Sequence, residues 1–165
     1  MPLYSQDQIN TIAAKIKHIR FGMFTTMDHA NVLSSRPLTV QQIDGEGNMW
    51  FFSSDEADYT QELTLHPEVN VSFSSPDEHL YLSVTGQAFL VRDRAKAREL
   101  WNPLVRAWYP GGLDDPHLTL IRVRIQTAEY WDASTSKMKQ LVQLARTAVT
   151  GRAPVGMGKH TTICL

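Results

Sequence analysis

Ser34-Ser35-Arg36-Pro37-Leu38 sets an arginine beside a proline in a run that otherwise reads as extended chain. Proline removes a ladder donor, so such a strand must lie at an edge, kink or bulge there, and an arginine next to the interruption can point into a ligand space. A surface arginine on an edge strand fits the same residues. Met49-Trp50-Phe51-Phe52-Ser53-Ser54 reads as a buried aromatic strand that ends in hydroxyls, with a helix starting near Asp55. Free N–H groups at a helix N-terminus, together with nearby hydroxyls, can hold a phosphate. Plain N-capping by Ser54 or Asp55 is the alternative. Trp131 ends a strand in which Ile121, Val123 and Ile125 alternate with Arg122 and Arg124. It is read either as a wall for a planar ligand or as interface packing, and the two arginines as a solvated face.

Other chemistries lack their residues. Gly45-Glu46-Gly47 has Trp50 where a dinucleotide fingerprint needs its third glycine, and it leads into a strand. Gly151 to Gly156 has the glycine spacing of a phosphate loop, but Met157 and Gly158 stand where lysine and a hydroxyl residue belong. No Gly-x-Ser-x-Gly elbow or His-Glu-x-x-His helix is present. His18, His29, His66, His79, His117 and His160 are scattered without ligand spacing, so no metal site is expected. With Cys164 as the single cysteine, neither an internal disulfide nor a thiolate zinc site is available.

The elements that must position these residues follow from periodicity. Ile9, Ile12, Ala13, Ile16 and Ile19 recur at helical spacing, and Ser5 with Gln8 has the form of a capping box, predicting a leading helix over Ser5 to Arg20. Six strands are predicted: Phe21 to Met27, Val32 to Ile43, Met49 to Ser54, Val69 to Ser75, Leu80 to Val91 and Leu118 to Tyr130. The connections at 28–31, 44–48 and 76–78 carry turn formers, which favours antiparallel hairpins. In the strand from Leu80, Leu82 and Val84 share one face, and Gly86 marks a bulge. Helices are predicted around Ala57 to His66, from Arg94 to Trp108 and from Ser136 to Val149. The stripe that includes Trp101 and Trp108, with Tyr109 beyond it, reads as core or interface packing. Residues 1–150 are expected to form a single domain with N- and C-terminal helices, and 151–165 a flexible tail or a partner-docking segment. The class is mainly β with α additions, a small antiparallel barrel.

At 165 residues the chain has the size of one domain. Apolar residues make up 42% and charged residues 20%, which supplies a core and argues against wholesale disorder. Sixteen Lys plus Arg against 17 Asp plus Glu give a formal charge of -1, without the basic footprint that nucleic-acid binding needs. The N-terminal residues carry neither a basic region nor an apolar run, and no segment approaches a membrane span, so a cytoplasmic protein is expected.

In order along the chain, these segments resemble the pyridoxamine 5'-phosphate oxidase-like FMN-binding split barrels, in particular the general stress protein 26 branch. The resemblance covers about Ser5 to Asp132. It rests on Arg36-Pro37-Leu38, Met49-Trp50-Phe51-Phe52-Ser53, His66-Pro67-Glu68-Val69-Asn70-Val71-Ser72-Phe73, Tyr81-Leu82-Ser83-Val84-Thr85-Gly86, Trp108-Tyr109-Pro110-Gly111-Gly112 through Asp115-Pro116, and Leu120-Ile121-Arg122-Val123 leading to Glu129-Tyr130-Trp131-Asp132.

The resemblance implies a six-stranded split barrel and a homodimer with two FMN sites in the subunit interface. By carry-over, Arg36 and Pro37 line the flavin from one strand and Phe52, Ser53 and Ser54 from the next, while Trp131 approaches the ring. Where the family places a lysine on the FMN phosphate, this chain has Tyr59, with Asp58 beside it. A phenol offers one hydrogen bond and no charge, and charge-assisted bonds are roughly twice as strong as neutral ones. The implied function is a stress-related flavoprotein, either a flavin-dependent oxidoreductase or a flavin carrier, with FAD or no cofactor as weaker alternatives to FMN. The competing reading is a non-enzymatic dimeric ligand-binding or interaction protein that has lost tight FMN binding. No side chain identifies itself as a catalytic acid or base.

Overall fold

The computed structural model describes residues 5–132 and 159–164. The chain opens with α1, Gln6–Ile16, whose start carries both halves of the expected capping box: Ser5 Oγ accepts from the Gln8 N–H and the Gln8 side chain accepts from the Ser5 N–H. Its Ile9, Ile12 and Ile16 are buried. Strand β1 is Phe21–Met27, β2 Leu33–Thr39, β3 Gln42–Ile43 and β4 Asn48–Ser54. Helix α2, Asp58–Leu65, precedes β5, Glu68–Ser75, and β6, Leu80–Val91. After α3, Arg94–Leu100, and α4, Pro103–Trp108, come β7, Leu118–Asp132, and β8, Lys159–Cys164.

All strands belong to one antiparallel sheet in the order β2-β1-β5-β6-β7-β4-β3, with β8 on β7. The two ends of that order are continuous in the chain, because β2 passes into β3 through Val40 and Gln41. The Gln41 N–H already donates to the Trp50 carbonyl of β4. One stretch of chain therefore joins the sheet's two edges and folds it into a barrel. Phe24, Met49, Phe51, Val71, Val84, Ile121 and Val123 fill the inside under α1. A second apolar cluster lies on the outer face of β4, where Trp50, Phe52 and Leu120 pack against Ala97, Leu100 and Val105 of α3 and α4.

Among the described residues there are eight strands, not six. The run predicted from Val32 to Ile43 breaks at Val40-Gln41, where the chain changes neighbours, and β8 adds to the far end of β7. Residues 159–164, expected to lie in a flexible tail, are thus held in the sheet, whereas the helix expected from Ser136 to Val149 falls outside the described residues. The helix expected from Arg94 to Trp108 is two. Asn102 is extended, its side-chain oxygen accepts from the Leu104 and Val105 N–H groups, and Pro103, which has no N–H to give, sits in the first turn of α4.

The bulge expected at Gly86 is present as a register shift between Thr85 and Gly86. A Cβ there would stand 2.2 Å from the Arg124 carbonyl oxygen, so the close approach of β7 excludes any side chain. Arg122 departs from the solvated reading: its guanidinium lies 5.3 Å from the Phe89 ring centre and its Nε is buried. Among the described residues, no helix is long and apolar enough to cross a membrane.

Candidate functional site

Three of the residues singled out in the sequence converge. Arg36 is paired across the sheet with Phe24. Its Nη1 donates to Thr26 Oγ1 at 2.7 Å, its Nη2 donates to Ser34 Oγ at 2.6 Å, and the guanidinium lies over the Tyr59 ring at 4.5 Å. The Tyr59 hydroxyl is 2.5 Å from Ser53 Oγ. Strand period two explains the grouping: Ser53 shares the inward face of β4 with Met49 and Phe51. Tyr59, on the first turn of α2, leans against the same inner cluster.

Two further residues, Thr26 and Glu62, complete this arrangement and carry no signal in the sequence. Buried Thr26 passes its own hydroxyl hydrogen to Glu62 Oε2 at 2.6 Å, so the guanidinium is connected to a carboxylate through one hydroxyl. Tyr109 follows α4; burial, reinforced by Tyr59 and Asp115, pushes its phenol up to about 12, so it stays protonated at neutral pH.

Pro37 and Phe52, adjacent in sequence to Arg36 and Ser53, line a different space, an outer groove of about 940 Å³ between the end of α1, residues 37–43 and α4. Phe52 is held there by Trp101, edge-on at 5.6 Å, and by Tyr109, tilted at 6.3 Å. Ser54 accepts from the Glu56 N–H and caps no helix, because α2 begins at Asp58 after Ala57. Asp55 is also no cap: its carboxylate meets Arg92 and the His117 ring.

Trp131 lies apart. It pairs with Tyr81 near the end of β7, whereas Ser53 pairs with Thr119 near its start. Twelve residues of strand separate Thr119 from Trp131, roughly 40 Å of chain at about 3.3 Å per residue. The residues assigned to the flavin therefore divide into an inward cluster of Arg36, Ser53 and Tyr59, an outer groove bordered by Pro37 and Phe52, Ser54 in the turn before α2, and Trp131 near the other end of β7. Among the described residues no group of three or more His, Cys, Asp or Glu is placed to hold a metal.

The family model described as pyridoxamine 5'-phosphate oxidase like matches residues 7–155. The chain belongs to that family. Among the relatives of this pyridoxamine 5'-phosphate oxidase-like chain is protein bli-3 of Neurospora crassa, 28% identical in an alignment of 156 positions that covers 88% of this chain and 75% of the relative. The general stress FMN/FAD binding protein of Xanthomonas citri is 32% identical, with a TM-score of 0.68 over 79% of this chain and 92% of that one. A general stress protein 26 from Jannaschia superposes over 98% of this chain and 100% of its own with a TM-score of 0.73, and its 22% identity shows the shared fold.

Proposed function

We propose that this protein binds a flavin, FMN in the first place, as a homodimer, and serves as a flavin-dependent oxidoreductase or a flavin carrier. One observation carries the reading: Arg36, Ser53 and Tyr59, which the resemblance assigns to the cofactor, touch one another through a guanidinium-over-ring contact and a short hydroxyl pair. That donor set fits a flavin phosphate in kind, with one cation and two hydroxyls. When bound, the flavin supplies hydride transfer at its ring, and the protein contributes orientation and hydrogen bonds.

The dimer is supported by what one subunit leaves uncovered. Tyr81 and Trp131 form a cross-strand pair exposed by 44% and 39%, and Met23 and Leu33 are exposed on β1 and β2. Exposed large apolar side chains, where contiguous, mark association surfaces. A second subunit is also the route by which Trp131 would meet a flavin held near Arg36.

The competing reading, a dimeric ligand-binding or interaction protein without tight FMN binding, is favoured by a specific feature. Arg36 already donates to Thr26 and Ser34 and lies on Tyr59, and no second cation among the described residues joins it in this cluster. The visible spectrum of the purified protein separates the two. Flavin bands that persist through gel filtration and are released on denaturation support the first reading. A colourless protein that takes up none of FMN, FAD or riboflavin removes it.

A further inference from the structure

Glu62 holds a place beside the inward cluster that the cofactor assignment leaves without a role. Tyr59 and Glu62 stand three residues apart on α2 and so share one face of it. Both meet Arg36 from there: the Tyr59 ring lies under the guanidinium at 4.5 Å, and Glu62 reaches it through Thr26. On β1 the buried positions are Gly22, Phe24 and Thr26. A threonine thus occupies a core position, with its one hydroxyl set between the arginine and the carboxylate.

The direction of both bonds is fixed by what each group can do. A guanidinium only donates and a carboxylate only accepts, so Arg36 gives a hydrogen to Thr26 Oγ1 and Thr26 gives its own to Glu62 Oε2. Their lengths, 2.7 and 2.6 Å, are those of charge-assisted bonds. Among the described residues no lysine, arginine or histidine stands within ion-pair distance of Glu62. Its charge is therefore aimed at Arg36, which is oriented and partly neutralised before any ligand arrives.

We propose that Glu62 is a positioning residue that sets the flavin specificity of this site: acting through Thr26, it holds Arg36 on Tyr59 and opposes a phosphate in proportion to the phosphate's charge. The inference rests on the flavin reading and deepens it. FMN ends in a phosphate monoester, which carries about -1.5 to -2 at pH 7, whereas in FAD the same phosphate is bridged and carries about -1, and riboflavin has none. Glu62 penalises FMN most, FAD less and riboflavin not at all, so the three flavins bind with more similar affinities than Arg36 alone would give.

The test measures the Kd of FMN, FAD and riboflavin by equilibrium dialysis at pH 7, for the full chain and for Glu62→Gln, whose amide oxygen can still accept from Thr26 but carries no charge. FMN should bind the variant about five- to tenfold more tightly, FAD about two- to threefold, and riboflavin equally well. The gain for FMN should appear as slower release of bound FMN on dilution. Glu62→Asp keeps the charge and should leave the ratio of FMN to riboflavin affinity within about twofold of the unsubstituted chain.

A ratio that Glu62→Gln leaves unchanged or lowers, a gain shared equally by the three flavins, or a gain reproduced by Glu62→Asp each overturn the proposal. A lower thermal midpoint with an unchanged ratio does so as well, because Glu62 would then serve the fold alone. Flavin uptake with an ungraded response refutes this inference and leaves the flavin reading standing. No uptake of any flavin by the unsubstituted chain or by either variant refutes the flavin reading, and this inference with it.

Discussion

The Arg36 guanidinium rests 4.5 Å from the centre of the Tyr59 ring, on a side chain whose hydroxyl is bonded to Ser53. A guanidinium over an aromatic face is stabilised by the ring quadrupole. Here the contact joins β2 to α2 at the mouth of the barrel. Its charge is balanced through Thr26 by Glu62, so an incoming anion must compete with an existing internal network.

Tyr59→Lys supplies a second cation to the same place. FMN is expected to bind about tenfold more tightly while riboflavin, which lacks the phosphate, is unchanged. Arg36→Met should weaken FMN by a similar factor and leave riboflavin alone. Equal responses of FMN and riboflavin in both variants would remove the phosphate from this cluster.

Gly86→Ala forces a methyl group against the Arg124 carbonyl, which belongs to the backbone of a central strand and cannot swing aside. Overpacking of this kind costs about 2 to 3 kcal/mol. Urea unfolding should show a lower midpoint with an unchanged slope, and a midpoint within error of the parent would contradict the bulge geometry.

Asn102→Ala removes the acceptor for two α4 N–H groups together with the link to Gln41. A lost N-cap costs about 1 kcal/mol. Asn102→Asp keeps the cap acceptor and should recover most of that loss in thermal unfolding; no recovery would assign the effect to the Gln41 contact.

The His117 ring donates toward Asp55 at 3.0 Å, and this bond, followed by the charges of Glu56, Asp55 and Asp115, raises its pKa above 6.5 in the folded protein. A group whose pKa rises on folding stabilises the fold fully below its unfolded value and loses that contribution as pH climbs through the folded one. Stability should therefore fall slightly as pH rises from about 6.5 through the folded value. His117→Asn should flatten the profile in that window, and an identical profile would show that the contact contributes nothing.

Much of the scaffold was readable because period two is hard to counterfeit. The bounds of β1 and β6 match their predicted runs, and Leu80, Leu82 and Val84 face the core as their alternation requires. The stripe from Ala97 to Trp108 misled, because side-chain spacing continues across Asn102-Pro103 although the backbone hydrogen bonding restarts there. At the site, Arg36 and Pro37, like Phe52 and Ser53, are neighbours in sequence and hence on opposite faces, which a grouping by motif conceals. Thr26 and Glu62 gave no sign at all: their junction depends on how α2 leans across β1, a tertiary relation that neither local pattern encodes.

Strand β7 reaches from the level of Ser53, opposite Thr119, to the level of Tyr81, opposite Trp131. In the proposed dimer, a pocket that uses Arg36 and Trp131 together would draw on two molecules. Its assembly would obey a second-order law, with occupancy collapsing on dilution more steeply than a one-molecule isotherm allows.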